Sequence, residues 1–168
     1  MGTRVFLSST GADLQDQRDA AYEAIKLAGA ECVRMEDFAA DPRTPAEVCA
    51  DEVAKSDLLI GLVGFHYGGR VPPEKSRSFT QLEIETAETR EPAEVPPYFF
   101  VAPVGAKLAM TEQDGADLDA QRALRDRLRE ERTIGRPEHW DHPYKLALQI
   151  QSIVIKALMP EMPEVERY

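Results

Sequence analysis

The chain has 168 residues, 43% hydrophobic and 30% charged, with a formal net charge of −10. That is enough for one globular domain with a full core and no covalent staples. The charge argues against duplex nucleic acid and disfavours anionic membrane surfaces as partners, because binding to either rests on neutralising phosphates, and no apolar run approaches the ~18 residues of a bilayer span.

The elements follow in chain order. The first residues lead straight into Arg4-Val5-Phe6-Leu7-Ser8-Ser9, a β-rich run ending in hydroxyls and the first predicted strand, so no signal peptide and a cytoplasmic location are expected. Thr10-Gly11 turns the chain, and a helix is predicted from Asp13 to about Ala28, with Leu14, Ala21, Ala24, Ile25 and Ala28 as its apolar stripe and Gly29 as its stop. Arg18 falls on that stripe, where an aliphatic residue is expected. Glu31 to Met35 predicts a second strand. Thr44-Pro45-Ala46-Glu47 then supplies an N-cap, a proline at the first helical position and a capping-box acid.

Leu58 to Val63 is an unbroken apolar run of strand length, the pattern of a strand buried on both faces. A glycine-rich loop follows, Gly64-Phe65-His66-Tyr67-Gly68-Gly69, and Ser78-Phe79-Thr80-Gln81-Leu82-Glu83 opens another helix. Tyr98 to Val101 predicts strand four. Asp117 to Glu131 is a helix whose arginines Arg122, Arg125, Arg127 and Arg129 alternate with acids, which predicts a solvated, ion-paired face. Thr133-Ile134 is a candidate fifth strand, Tyr144 to about Leu158 a final helix, and 160–168 a Pro/Glu-rich tail or linker, leaving 1–159 as the domain.

Strands alternating with helices predict a single α/β domain, three layers deep, with a five-stranded parallel sheet in the flavodoxin-like order 2-1-3-4-5. Its crevice would lie between strands one and three, where Ser8, Ser9 and Thr10 face Gly64 to Tyr67. The loop has neither the Gly-Lys-Ser/Thr ending of a phosphate-binding P-loop nor a dinucleotide GxGxxG. Cys32 and Cys49 are expected to be buried free thiols, since their spacing fits no metal. His139 and His142 lack a third ligand, so no metal site is expected.

Several residues in and around this crevice can serve a ligand or the fold. Phe65 and Tyr67 can stack on an aromatic ligand or pack in the core. Gly64, Gly68 and Gly69 can let backbone amides approach a phosphate. The hydroxyls of Ser8, Ser9 and Thr10 can line a ribose or cap a helix. Arg18 can pair with Glu36-Asp37 or hold a diphosphate.

Val5-Phe6-Leu7-Ser8-Ser9-Thr10 with Asp13-Leu14 and Arg18, Met35-Glu36-Asp37-Phe38, Gly64-Phe65-His66-Tyr67-Gly68 and Ser78-Phe79-Thr80-Gln81-Leu82-Glu83 together resemble the motifs of the TIR-like domain of unknown function 4062 family. The match runs in order over most of residues 4 to 158. It departs at His66, where the family usually has Arg, and at Gln81 and Ile84, where it has Glu and Tyr. The resemblance implies a TIR-like fold in bacterial proteins that often carry larger sensor modules, in settings suggestive of antiphage defence.

Catalytic TIR domains cleave the nicotinamide–ribose bond of NAD with a Glu on the helix after strand three, and the matching position here is Glu83. On that basis Ser8, Ser9, Thr10, Arg18, Gly64, Phe65, His66, Tyr67, Gly68, Ser78 and Thr80 are the expected ligand contacts. NAD would be substrate rather than cofactor, and self-association is expected. Two other functions fit the same frame, a non-enzymatic assembly module and a nucleoside deoxyribosyltransferase-like enzyme.

Overall fold

The structure is a computed structural model that describes residues 2–10, 13–38, 40–72, 75–89, 97–108, 117–131 and 137–159. Four parallel strands, β1 (Arg4–Ser9), β2 (Glu31–Val33), β3 (Leu58–Val63) and β4 (Tyr98–Val101), pair in the order β2-β1-β3-β4. This is the expected order for its first four members. The fifth strand expected at Thr133-Ile134 lies outside the described residues, as does the tail, so four strands rather than five are seen.

Strand residues alternate between two cores, as the period of two in a pleated strand requires. Val5, Leu7, Leu58, Ile60, Leu62 and Phe100 face helices α1 (Gln15–Leu27), α5 (Pro137–Asp141) and α6 (Pro143–Leu158). Phe6, Leu59, Val63, Phe99 and Val101 face α2 (Pro45–Lys55), α3 (Phe79–Glu88) and α4 (Leu118–Glu131). All six residues of β3 are buried, because strands flank it and helices cover both its faces. Among the described residues no helix is long and apolar enough to cross a membrane.

Local chemistry sets the element ends. Gly29 adopts φ +94 just past α1, a conformation that glycine reaches without the Cβ penalty. Thr44 forms the capping box in full: its Oγ1 accepts from Glu47 N at 3.3 Å, and Glu47 Oε2 accepts from Thr44 N at 2.8 Å. Thr44→Ala is expected to cost about 1 kcal/mol in urea unfolding, and an unchanged midpoint would show that the cap carries no stability.

Three expectations are corrected. The second strand stops at Val33, and Met35–Asp37 forms a 3-10 turn instead, whose Arg34 and Asp37 side chains pair across it. α1 starts at Gln15 rather than Asp13, because Leu14 takes a non-helical backbone conformation and stands as its N-cap. Arg125 is not on a solvated face: it is 1% exposed, with its guanidinium 4.7 Å from the centre of the Phe65 ring and its Nε donating to Gln121 Oε1 at 2.7 Å. Its neighbours in α4 reach other elements: Arg127 pairs with Glu88 of α3, and Arg129 donates to the Ala102 carbonyl.

Candidate functional site

The carboxyl ends of β1 and β3 lie side by side, with Ser8 opposite Gly61 and Ser9 opposite Leu62. The chain leaves β1 through Thr10, whose amide donates to the Leu62 carbonyl at 3.1 Å and whose Oγ1 accepts from Gly64 N at 3.0 Å. These bonds bring the two expected walls together, 8–10 against 64–67.

Asp13, which the sequence suggested only as a helix start, holds that junction. Its Oδ2 accepts from the amides of Phe65 at 2.5 Å and His66 at 3.1 Å, and its Oδ1 accepts from Thr10 Oγ1 at 3.3 Å. The close approach needs a glycine, because a Cβ on Gly64 would stand 2.2 Å from Asp13 Oδ2. The three amides of residues 64 to 66 therefore have partners within the protein. Here the glycine makes room for a carboxylate of the chain itself.

The loop beyond folds back on itself. Arg70 and Ser78 form an isolated antiparallel bridge, and Phe79 N donates to the Gly69 carbonyl at 3.0 Å. Ser78 caps α3 by accepting from Gln81 N at 3.1 Å. Thr80 Oγ1 donates to the Ser9 carbonyl at 3.4 Å, which ties the start of α3 to the end of β1. That tie carries Glu83, one turn further on, to the strand edge.

Glu83 is 4% exposed. Its Oε2 accepts from the Ser8 hydroxyl, and its Oε1 accepts from the Cys49 thiol of α2 at 3.6 Å. Burial raises its pKa to about 7, against the opposing effect of those two donors; the Glu36 charge adds to the rise and the Arg18 charge reduces it. A carboxyl poised near neutrality can accept a proton or stabilise a developing positive charge. Cys49 is fully buried, and desolvation together with the neighbouring Glu83 pushes its thiol well above the usual range. A thiol 34 residues away in sequence gave no signal of this contact beyond its apolar helical position.

The other expected contacts distribute unevenly. Phe65 and Tyr67 are buried, Phe65 under Arg125 and Tyr67 with its hydroxyl donating to Gln81 Oε1 at 2.5 Å and accepting from Ser78 N at 3.3 Å. Both rings pack in the core, Phe65 in the cluster under α1 and α6 and Tyr67 in the cluster on the other face of the sheet. His66 is half-buried and its Nδ1 has no hydrogen-bond partner. Gly68, at φ +91, has open space where a Cβ would stand.

Arg18 pairs with Glu36 of the Met35–Asp37 turn, and Met35 packs on the buried cluster of Cys49, Val71 and Leu82. An open cleft of about 450 Å³ lies beside α3, lined by Val71, Ser76, Arg77, Gln81 and Glu85. Gln81 and Glu85 sit about 200° around the helix from Glu83, so this cleft does not reach the buried carboxylate. Among the described residues no group of three or more metal-ligating side chains converges.

A family model described as "Domain of unknown function (DUF4062)" matches residues 4–155. The fold is similar to the TIR domains of the activated Roq1 resistosome, which directly recognises the pathogen effector XopQ. That similarity has 12% identity and a TM-score of 0.50, over 99% of this chain and 90% of that one. No curated protein matches the chain.

Proposed function

The chain belongs to the domain of unknown function 4062 family, and from that membership, its TIR-like fold and its buried crevice carboxylate we propose that it is a nucleotide-binding domain that cleaves the nicotinamide–ribose bond of NAD. The observation that carries this reading is Glu83, held at the carboxyl edge of the sheet by Ser8 and Cys49 with its pKa raised to about 7. In the reaction the ribose C1′–N bond breaks and its electron pair leaves with nicotinamide. Water adds to C1′, and Glu83 in its ionised form stabilises the oxocarbenium-like ribose and takes the proton from water. Arg18 holds the diphosphate, and the Ser8 hydroxyl keeps the carboxylate in register.

The closed burial of Glu83 gives a second reading its own support. The face of α1 and α6 exposes Leu27, Tyr144, Leu148 and Ile155, and an apolar groove of about 410 Å³ runs between these helices. Apolar patches of this kind mark protein contacts. On this reading the domain is an assembly module, and on the first reading self-association accompanies turnover. A role in bacterial defence signalling is compatible with both.

One experiment separates them. Concentrated protein incubated with NAD is expected to release free nicotinamide, and Glu83→Ala is expected to lower the rate by at least roughly a hundredfold. No release at any protein concentration, including under enforced clustering, would leave the assembly module. Release untouched by Glu83→Ala would remove Glu83 as the reacting group.

A further inference from the structure

The Met35–Asp37 turn packs through Met35 on the buried cluster of Cys49, Val71 and Leu82, and four charges gather at it, those of Arg18, Arg34, Glu36 and Asp37. Glu36 points its Oε1 at two guanidinium groups at once: Nη2 of Arg18 on α1, and Nε of Arg34 at 3.7 Å. Arg34 does not depend on Glu36, because Asp37 takes its Nε and Nη2 at 3.2 and 3.0 Å and its guanidinium lies 3.8 Å from the centre of the Tyr22 ring. Arg18 is set differently. It stands on the apolar stripe of α1, its side chain is only 19% exposed, and its ion pair is with Glu36. In the cluster on which Met35 packs, the Cys49 thiol touches Glu83.

We propose that Arg18 and Arg34 form an oxyanion site for the diphosphate of a nucleotide, that the Glu36 carboxylate occupies this site in the closed form, and that an incoming diphosphate displaces it and lifts Met35 off the cluster that holds Cys49 beside Glu83. The proposal rests on the nucleotide-binding reading above. A guanidinium binds carboxylate and phosphate oxygens through the same charge-assisted N–H bonds, so a phosphate can take the place of Glu36 on Arg18 while Arg34, whose Nε and Nη2 stay on Asp37, adds its charge. A diphosphate brings more negative charge than a single carboxylate, and the competition takes place at a part-buried arginine, where charge is screened less than in bulk water. Asp37 and Tyr22 keep Arg34 in place while Glu36 leaves. The charges of Arg18 and Glu36 both act on Glu83, which places the exchange within reach of the reacting carboxylate. Ligand recognition and loosening of the packing around Cys49, whose thiol rests on Glu83, then become one event.

Cys49 reports the opening without any catalysis. In a Cys32→Ser background its labelling by a soluble thiol reagent is expected to be slow, since it is fully buried. Inorganic pyrophosphate and ADP-ribose are expected to accelerate labelling about tenfold, the equivalent of one charge-assisted contact exchanged. Nicotinamide riboside, which lacks the diphosphate, and sodium chloride at matched ionic strength are expected to leave the rate unchanged. Glu36→Gln should label about tenfold faster without ligand. Arg18→Lys, which keeps the charge and loses the fork, should label faster at rest and respond less to pyrophosphate.

A wild-type rate indifferent to pyrophosphate and ADP-ribose, or a Glu36→Gln variant as protected as wild type, would overturn the proposal. Acceleration by ADP-ribose alone would assign the site to the nucleotide, and equal acceleration by pyrophosphate to the diphosphate itself. NAD cleavage with unresponsive labelling would sink the exchange and leave the NAD reading standing. Responsive labelling without NAD cleavage would do the reverse.

Discussion

Glu83→Gln is expected to raise the stability of this protein at pH 8 and to lose that advantage at pH 4, while abolishing any nicotinamide release. The Glu83 carboxyl titrates near 4.5 when exposed and at about 7 in the fold, chiefly because burial disfavours its charged form. Between those two values the folded chain holds the proton and the unfolded chain has lost it. Stability from this group is therefore complete below pH 4.5 and falls as pH rises through about 7.

The loss amounts to about 3 kcal/mol once both states are ionised. Glutamine removes the buried charge but can offer only one acceptor to Ser8 and Cys49, which offsets about 1 kcal/mol. The net gain of about 2 kcal/mol corresponds to a melting temperature roughly 4–8 °C higher at pH 8 for a chain of this size. Paired thermal melts of wild type and variant across pH 4 to 8 measure it. Parallel curves would mean that Glu83 is not perturbed by its surroundings, and the case for it as the reacting carboxylate would weaken with them.

Gly64→Ala is expected to be among the most damaging single-methyl additions in the molecule. The new Cβ would stand 2.2 Å from Asp13 Oδ2 and 3.0 Å from Leu14 Cδ2. The carboxylate is the group that must move, and in moving it releases the amides of Phe65 and His66 and leaves a buried charge without its donors. The cost is about 3–5 kcal/mol by the usual consequence of breaking a buried charged hydrogen-bond set. Asp13→Ala provides the control: with the carboxylate gone, the second substitution should cost far less than it does alone. Additive losses in the double variant, read from urea midpoints, would show that the damage comes from the backbone and not from Asp13.

The legible parts of the fold are those encoded within a few consecutive residues. β3 was readable because a strand covered on both faces carries no polar interruption between Leu58 and Val63, and the Thr44 cap because all its partners lie within four residues. The side-by-side placement of Ser8–Thr10 and Gly64–Tyr67 followed from parallel topology alone. What escaped was set by distant partners. Asp13 finds its acceptor role 52 residues away, and nothing near it in sequence distinguishes that use from an ordinary helix start. Arg125 sits among acids that suggest a solvated helix face, yet Phe65 arrives from another element and gives it an aromatic lid. The same contact explains why Phe65 proved to be core. Around Glu83 only the family motif distinguished this carboxylate from the other acids of its helix, while the parallel topology put Ser8 at the same edge; Cys49 was left out because a lone thiol on an apolar helix face looks like any other core residue.

Trp140 is the chain's single tryptophan, buried among α1, α5 and α6 with its indole N–H lacking a hydrogen-bond partner. An indole in such dry surroundings emits at short wavelength and shifts to the red when water reaches it. It lies on the face of the sheet opposite α2 and α3, so events at Glu83 should leave its emission unmoved while loss of the fold should shift it fully. The protein thus carries an intrinsic optical gauge of folding that is blind to its own crevice, and a variant can be scored as folded before anyone asks whether it works.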